Sequence, residues 1–374
     1  MILSAEDNLR LNVLLAQDLH AVRIDESKMT VFALTEKGEA SIPLNAIGKD
    51  ETYIKEVKAL LSTHVMGSPG GYPVYLKRWT RMGQARDESL AQLLLLGEPE
   101  AVVAAVHASG LTDALAARAW WAMPTAENAR RMLEKQAVVK GKTGKLLAEF
   151  LLEFLPFEED QSDIIESVRL VLQPGLISQQ EKEKLWSKTK NKRSFYVGFL
   201  LSSAENLPFQ SDAHAEYENV KNLLKLLTQQ KNPYALMLVK VFSAKGQATI
   251  KTIKNAFEKP GNQDVVVSLL FAVSTYFVTV VPEQFSEDDM ESICSEARLL
   301  CATSDEILEV QAALKGTSEN IQNSLYAIIV LSCLGVKLVD PIFSRTDAIG
   351  TVMRKKIKPV TDPVFECLQL LRNV

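Results

Sequence analysis

From Asp87 onward, apolar segments of about 10–15 residues alternate with glycine, proline and capping side chains. That rhythm, more than any motif, limits what the chain can become. Ser89–Leu96 stops at Gly97 and restarts at Glu98-Pro99-Glu100, a proline in a first helical turn flanked by acids. Ala101–Ala108 ends at Gly110, Thr112-Asp113 opens the next segment, and Pro124-Thr-Ala-Glu127 opens another. Helices this short are marginal alone and must bury a face on their neighbours. The predicted fold is therefore mostly α, with an irregular helical repeat of the HEAT or TPR kind from 87 to 374 and no clean fixed period. A lobe boundary is expected near 174–193, where Gln173-Pro-Gly175 leads into a basic run.

Residues 1–86 carry a different period. Ser4 caps a first helix, and Thr52–His64 reads as a second. Between them Ala21–Ile24, Met29–Leu34 and Glu39–Leu44 alternate as strands joined by Asp25-Glu-Ser and Glu36-Lys-Gly38. A small α+β domain with a short antiparallel meander is expected over 1–86.

Composition excludes several classes. At 374 residues with 47% hydrophobic and 24% charged side chains, the chain has the makeup of a soluble globular protein. A net charge of −4 gives no global attraction to nucleic acid, so any such contact must be a local patch. Glu6, Asp7 and Arg10 interrupt what a signal peptide would need. Val265–Val281 is the most apolar stretch, and its serines and threonines read as a buried helix rather than a membrane span. Four cysteines without a CxxC pair argue against a disulfide framework or structural zinc and for a reducing cytoplasm.

The most unusual stretch is Thr63–Arg86, which packs glycines, aromatics and cations together. Tyr72, Tyr75, Lys77, Arg78, Trp79, Arg81 and Arg86 are the candidate interaction surface, since arginine with aromatic rings favours interfaces and single-stranded nucleic acid. Gly67-Ser-Pro-Gly70-Gly71 has glycines that could let a phosphate approach, but no P-loop frame; a turn from helix to strand is the competing reading. Gly141-Lys142-Thr143 imitates the end of a P-loop without its first glycine. Lys188, Lys190, Lys192 and Arg193, followed by Phe195 and Tyr196, form a possible basic contact for RNA. The histidines are scattered, so no metal and no cofactor are expected. Cys294 and Cys301 stand seven positions apart, about 10 Å along a helix, too far for a disulfide. A reactive thiol at either remains the one enzymatic alternative.

Three stretches, HVMGSPGGYPVYLKRWTRMGQARDESLAQLLLLGEPEAVVAAV, RAWWAMPTAENARRMLE and FLLEFLPFEEDQSDIIESVRLVLQPGLI, resemble the DsrS family. Its members are encoded beside the reverse dissimilatory sulfite reductase of sulfur-oxidising bacteria. The likeness is strongest over residues 1–200. It implies a cytoplasmic accessory protein of sulfur oxidation, with a role in controlling expression of the sulfur-oxidation genes and no agreed active-site residues. The expected function is thus non-catalytic and regulatory, acting through protein partners. RNA binding and a persulfide-handling enzyme are the alternatives.

Overall fold

The first helix starts where Ser4 accepts a hydrogen bond from the Asp7 amide, closing α1 (Ala5–Leu15) at its N-terminus. The computed structural model describes residues 3–82, 87–281 and 289–372. After α1 comes an antiparallel meander, β1 (Leu19–Asp25), β2 (Thr30–Thr35) and β3 (Gly38–Pro43), in sheet order β1-β2-β3. Val22 lies opposite Ala33, and Val31 opposite Ile42, so alternate side chains share one face. That face closes on Leu11, Leu14, Tyr53, Val57 and Leu61. Asp7 is wholly buried here, where Oδ2 accepts from the Tyr53 hydroxyl and the Asn45 amide, both at 2.7 Å. The acid that breaks the apolar run in the sequence ties α1 to the end of the sheet.

Helices α2 (Asp50–Met66), α3 (Gly71–Met82), α4 (Asp87–Leu93), α5 (Pro99–His107), α6 (Asp113–Ala122), α7 (Ala126–Leu133), α8 (Gln136–Val139) and α9 (Lys142–Phe154) follow. Their boundaries track the caps read from the sequence: Thr112 and Thr125 each accept from a first-turn amide. Contacts among α5, α6, α7 and α9 run between helices close in sequence, as in helical hairpins. The meander is not a separate body. The Val22 amide donates to Leu94 O at 2.8 Å. Arg23 is held between the rings of Phe32 (4.4 Å) and Trp121 (5.1 Å), while Glu39 accepts from both Arg23 and the Trp121 indole N–H. The chain accordingly divides into Met1–Phe154 with Gln173–Ile177, and Leu155–Leu172 with Ser178–Val374, rather than at residue 86. A strand edge and an aromatic–cation clamp bind the sheet to the helices that follow it.

The second unit contains α10 (Gln161–Val171), α11 (Gln179–Ser187), α12 (Arg193–Ser203), α13 (Tyr217–Leu223), α14 (Lys225–Gln229), α15 (Pro233–Phe242), α16 (Ala244–Glu258) and α17 (Gln263–Tyr276). It closes with α18 (Met290–Thr303), α19 (Asp305–Ala313), α20 (Glu319–Ser332), α21 (Asp340–Phe343), α22 (Gly350–Lys356) and α23 (Lys358–Leu370). Here the helices pack with the irregularity that the missing fixed period implies. A solenoid contacts only its neighbours, whereas α20 meets α15, α17, α18 and α23, and α12 meets α10, α16 and α17. The cause is composition: α20 is buried nearly all round from Ser324 to Ser332, so it needs partners on every side. Glycine allows the closest crossing. A Cβ at Gly198 of α12 would lie 2.6 Å from Val168 of α10. The apolar stretch from Val265 forms α17, whose inner face is buried while Phe271 is exposed. Among the described residues no helix is long and apolar enough to cross a membrane.

Candidate functional site

The glycine-rich turn after α2 leads into a helix, not a strand. Gly67, at φ 70, ends α2 with its amide donating to Thr63 O. Gly70 and Gly71 also have positive φ, 126 and 60, values that favour glycine. The first amides of α3 are then taken by the chain itself: Gly71 donates to Ser62 Oγ at 2.9 Å, and Tyr72 donates to Glu98 Oε2 at 2.8 Å. A Cβ on Gly71 would fall 1.9 Å from Glu98 Oε1. The position a phosphate would take at such a helix start holds the Glu98 carboxylate.

Gly141-Lys142-Thr143 repeats this arrangement. Asp113 Oδ2 accepts from the Lys142 amide and Oδ1 from the Thr143 amide, both at 3.0 Å. A Cβ on Gly141 would sit 2.1 Å from the Asp113 carboxyl carbon. The likeness to a phosphate loop is physical, since both need a glycine beside a helix start and an anion on its amides; here the anion is internal.

Of the candidate surface on α3, Tyr72 is half-buried and Tyr75 is only 8% exposed. Burial removes Tyr75 from an open binding face and makes it packing. The side chains of Lys77, Arg78, Trp79 and Arg81, and Arg86 as a whole, lie outside the described residues. In the second basic segment, Lys188 and Lys190 are exposed, while Lys192 and Arg193 are half-buried. Arg193 is 4.0 Å from Glu258 and lies over the Tyr196 ring at 5.6 Å. Phe195 and Tyr196 are core residues, with Trp186 packed edge-on to Tyr196. The rings of that run therefore support the fold, and only the two outer lysines face solvent fully.

Two of the four thiols are held away from ionisation. Burial pushes Cys301 up to about 11. Burial, followed by the charges of Cys294 and Glu366, pushes Cys367 up to about 12. Cys333 is buried, and the Cys294 side chain is hydrogen-bonded to Tyr326, over which the Arg298 guanidinium lies at 5.5 Å. Among the described residues no cluster of His, Cys, Asp and Glu is placed to hold a metal ion. His214 stacks on Phe242 at 4.1 Å and its Nδ1 accepts from the Glu216 amide.

Sequence reasoning passed over a cleft in the second unit. The long connection 204–216 between α12 and α13 folds over the starts of α11 and α16, leaving about 670 Å³ lined by Gln179, Lys182, Asn206, Phe209, Ser211 and Lys245 among others. Lys182 Nζ donates to Asn206 O at 2.6 Å, and burial lowers its pKa. A second cleft of about 330 Å³ shares Glu205 and Asn206 with the first and includes Lys240 and Tyr276. Lys240 pairs with Glu205 at 2.6 Å and lies 4.2 Å over the Tyr276 ring. Burial first, then the Glu205 charge, raises the Tyr276 pKa; the nearby Thr249 hydroxyl opposes this. The Tyr276 hydroxyl has no partner of hydrogen-bonding geometry, and Thr249 Oγ1 is directed to the Ala204 and Lys245 carbonyls. The one sequence signal was the length of the 204–216 connection, since loops that long without structure of their own tend to be functional.

Comparison of the chain with protein-family models, curated proteins and solved structures finds no match.

Proposed function

We propose that this chain is a non-catalytic accessory or regulatory protein, working in the cytoplasm by holding another protein. The observation that carries the reading is self-occupation. The two glycine-flanked helix starts that resemble ligand cradles are filled by Glu98 and Asp113, and they serve the fold. The thiol chemistry an enzyme would need is opposed by burial, because a thiolate is the nucleophile and Cys301 and Cys367 are shifted away from it. The resemblance read from the sequence supplies the setting, sulfur oxidation, and a protein of that system as the partner.

A pull-down with the full chain, from extract of sulfur-grown cells with and without nuclease, tests this. Retention of the same protein partner in both arms is the expected result; recovery only in the untreated arm replaces it with RNA binding. The exposed Lys188 and Lys190 favour that second reading. An RNA contact there would weaken steeply with salt and in K188Q/K190Q. The thiol alternative has its own check. At pH 8, Cys301 should react with iodoacetamide about a hundredfold, and Cys367 about a thousandfold, more slowly than an unperturbed cysteine. Rapid labelling of either would restore an enzymatic role.

A further inference from the structure

The 670 Å³ cleft is of the size that ligand sites take, roughly 300–1,000 Å³. Its wall is not a random sample of surface. Lys182 comes from α11, Lys245 from the first turn of α16, and Asn206, Phe209 and Ser211 from the 204–216 connection. Among the described residues the Lys245 ammonium makes no hydrogen bond or ion pair, unlike Lys240 beside it. The single acid on the wall, Glu205, is already paired with Lys240, so the cleft keeps an excess of positive charge. The α16 start adds the positive end of a helix dipole. Gly246 fixes that start in place, because a Cβ there would fall 2.2 Å from Lys240 O and 2.4 Å from Val241 O. Lys245 is thereby presented at the cleft rather than left on a free helix end. Leu207, Pro208 and Phe209 give the cleft an apolar side. The adjoining cleft ends on the Tyr276 hydroxyl, in a residue 7% exposed and without a hydrogen-bond partner. A buried hydroxyl left unmet is costly unless something else meets it.

We propose that this cleft binds a small organic phosphate, with Lys182, Lys245 and the α16 amides on the phosphate and Leu207, Pro208 and Phe209 against its apolar body. Lysine is suited to phosphate as a compact point charge, and neighbouring amide and hydroxyl groups supply the remaining donors. The inference goes beyond the partner-binding reading and stands without it. It makes the protein a responder to a metabolite as well as a holder of a partner.

Phenyl phosphate is the probe, titrated into the full chain by calorimetry and by intrinsic fluorescence, since Trp186 stacks on Phe209 at 6.4 Å. Inorganic phosphate and benzoate are the comparison arms. Saturable binding of phenyl phosphate, tighter than either comparison ligand, is the expected result. K245Q should weaken it about tenfold with an unchanged melting temperature. K182Q should weaken it too, but it also removes the bond to Asn206, so K245Q decides if K182Q proves unstable. No binding up to about 10 mM, or binding unaffected in K245Q, overturns the proposal. Benzoate binding as tightly as phenyl phosphate removes the phosphate assignment, and equal binding of inorganic phosphate removes the apolar body.

Discussion

Helices α9 and α16 begin with the same chemistry and end up used differently. Each opens beside a glycine that could not carry a side chain: Gly141 just before α9, Gly246 in the first turn of α16. At α9 the object against the glycine is the Asp113 carboxylate, which takes two backbone amides and completes the helix electrostatically. At α16 it is the carbonyl end of α15, Ser243 supplies the cap, and the flank faces a cleft with two lysines. A helix start attracts an anion wherever it lies. What differs is whether the chain brings its own. In the first unit it does so twice, with Asp113 and Glu98; in the second, at α16, it brings cations instead.

The largest effect that would break this comparison is at Gly246. G246A drives a methyl into two backbone carbonyls that cannot swing aside, and should cost about 3 kcal/mol in denaturant unfolding. A loss near zero would mean that α16 is not pressed against α15. Next comes D113A, which strands the Lys142 and Thr143 amides and should cost about 2 kcal/mol. The double variant D113A/G141A sharpens the point. With the carboxylate gone the Gly141 methyl has room, so the pair should cost less than the sum of its singles. Strict additivity would show that the carboxylate is not what requires glycine.

A smaller effect concerns pH. Burial lowers the His214 pKa from its ordinary 6.5, against weaker opposition from the Glu216 charge and a backbone hydrogen bond with Arg372. The unfolded chain therefore takes a proton near about pH 6 that the folded chain refuses, so stability is present above that range and falls as pH drops through it. Thermal midpoints from pH 7.5 to about pH 5 should decline more in the wild type than in H214F; parallel curves would exonerate His214. The smallest effect is Y276F. Removing a buried hydroxyl that has no protein partner should not lower stability and should raise it by up to about 1 kcal/mol. A loss above about 1 kcal/mol would mean that the hydroxyl is satisfied and that the second unit is as self-contained as the first.

Local signals were read well from the sequence because they are local. The openings read at Thr112-Asp113 and Pro124-Thr-Ala-Glu127 are those of α6 and α7, and α11 and α15 start on signals of the same local kind. Ser178 with Glu181 forms a full capping box, and Asn232 caps a helix that begins with proline. The meander was legible from short β-prone segments punctuated by turn residues. Helix α3 was not, because its first turn carries Gly71 and Pro73, which read as a loop until Glu98, distant in sequence, supplies the missing cap. The central role of α20 was invisible for a related reason: an apolar segment announces that it is buried, not by how many neighbours. The cleft escaped because Lys182 and Lys245 look like ordinary solvated lysines. Only the path of residues 204–216 brings them to one wall.

The Arg23 clamp turns a single indole into a gauge of cooperativity. Trp121 sits against a guanidinium and donates to a carboxylate, both on strands, while its own backbone belongs to a helix. If sheet and helices melt as one, its emission must shift in step with the loss of helical circular dichroism. If the strands peel away first, the Trp121 emission, isolated from the other three tryptophans by replacing them with phenylalanine, will announce it while the ellipticity is still intact.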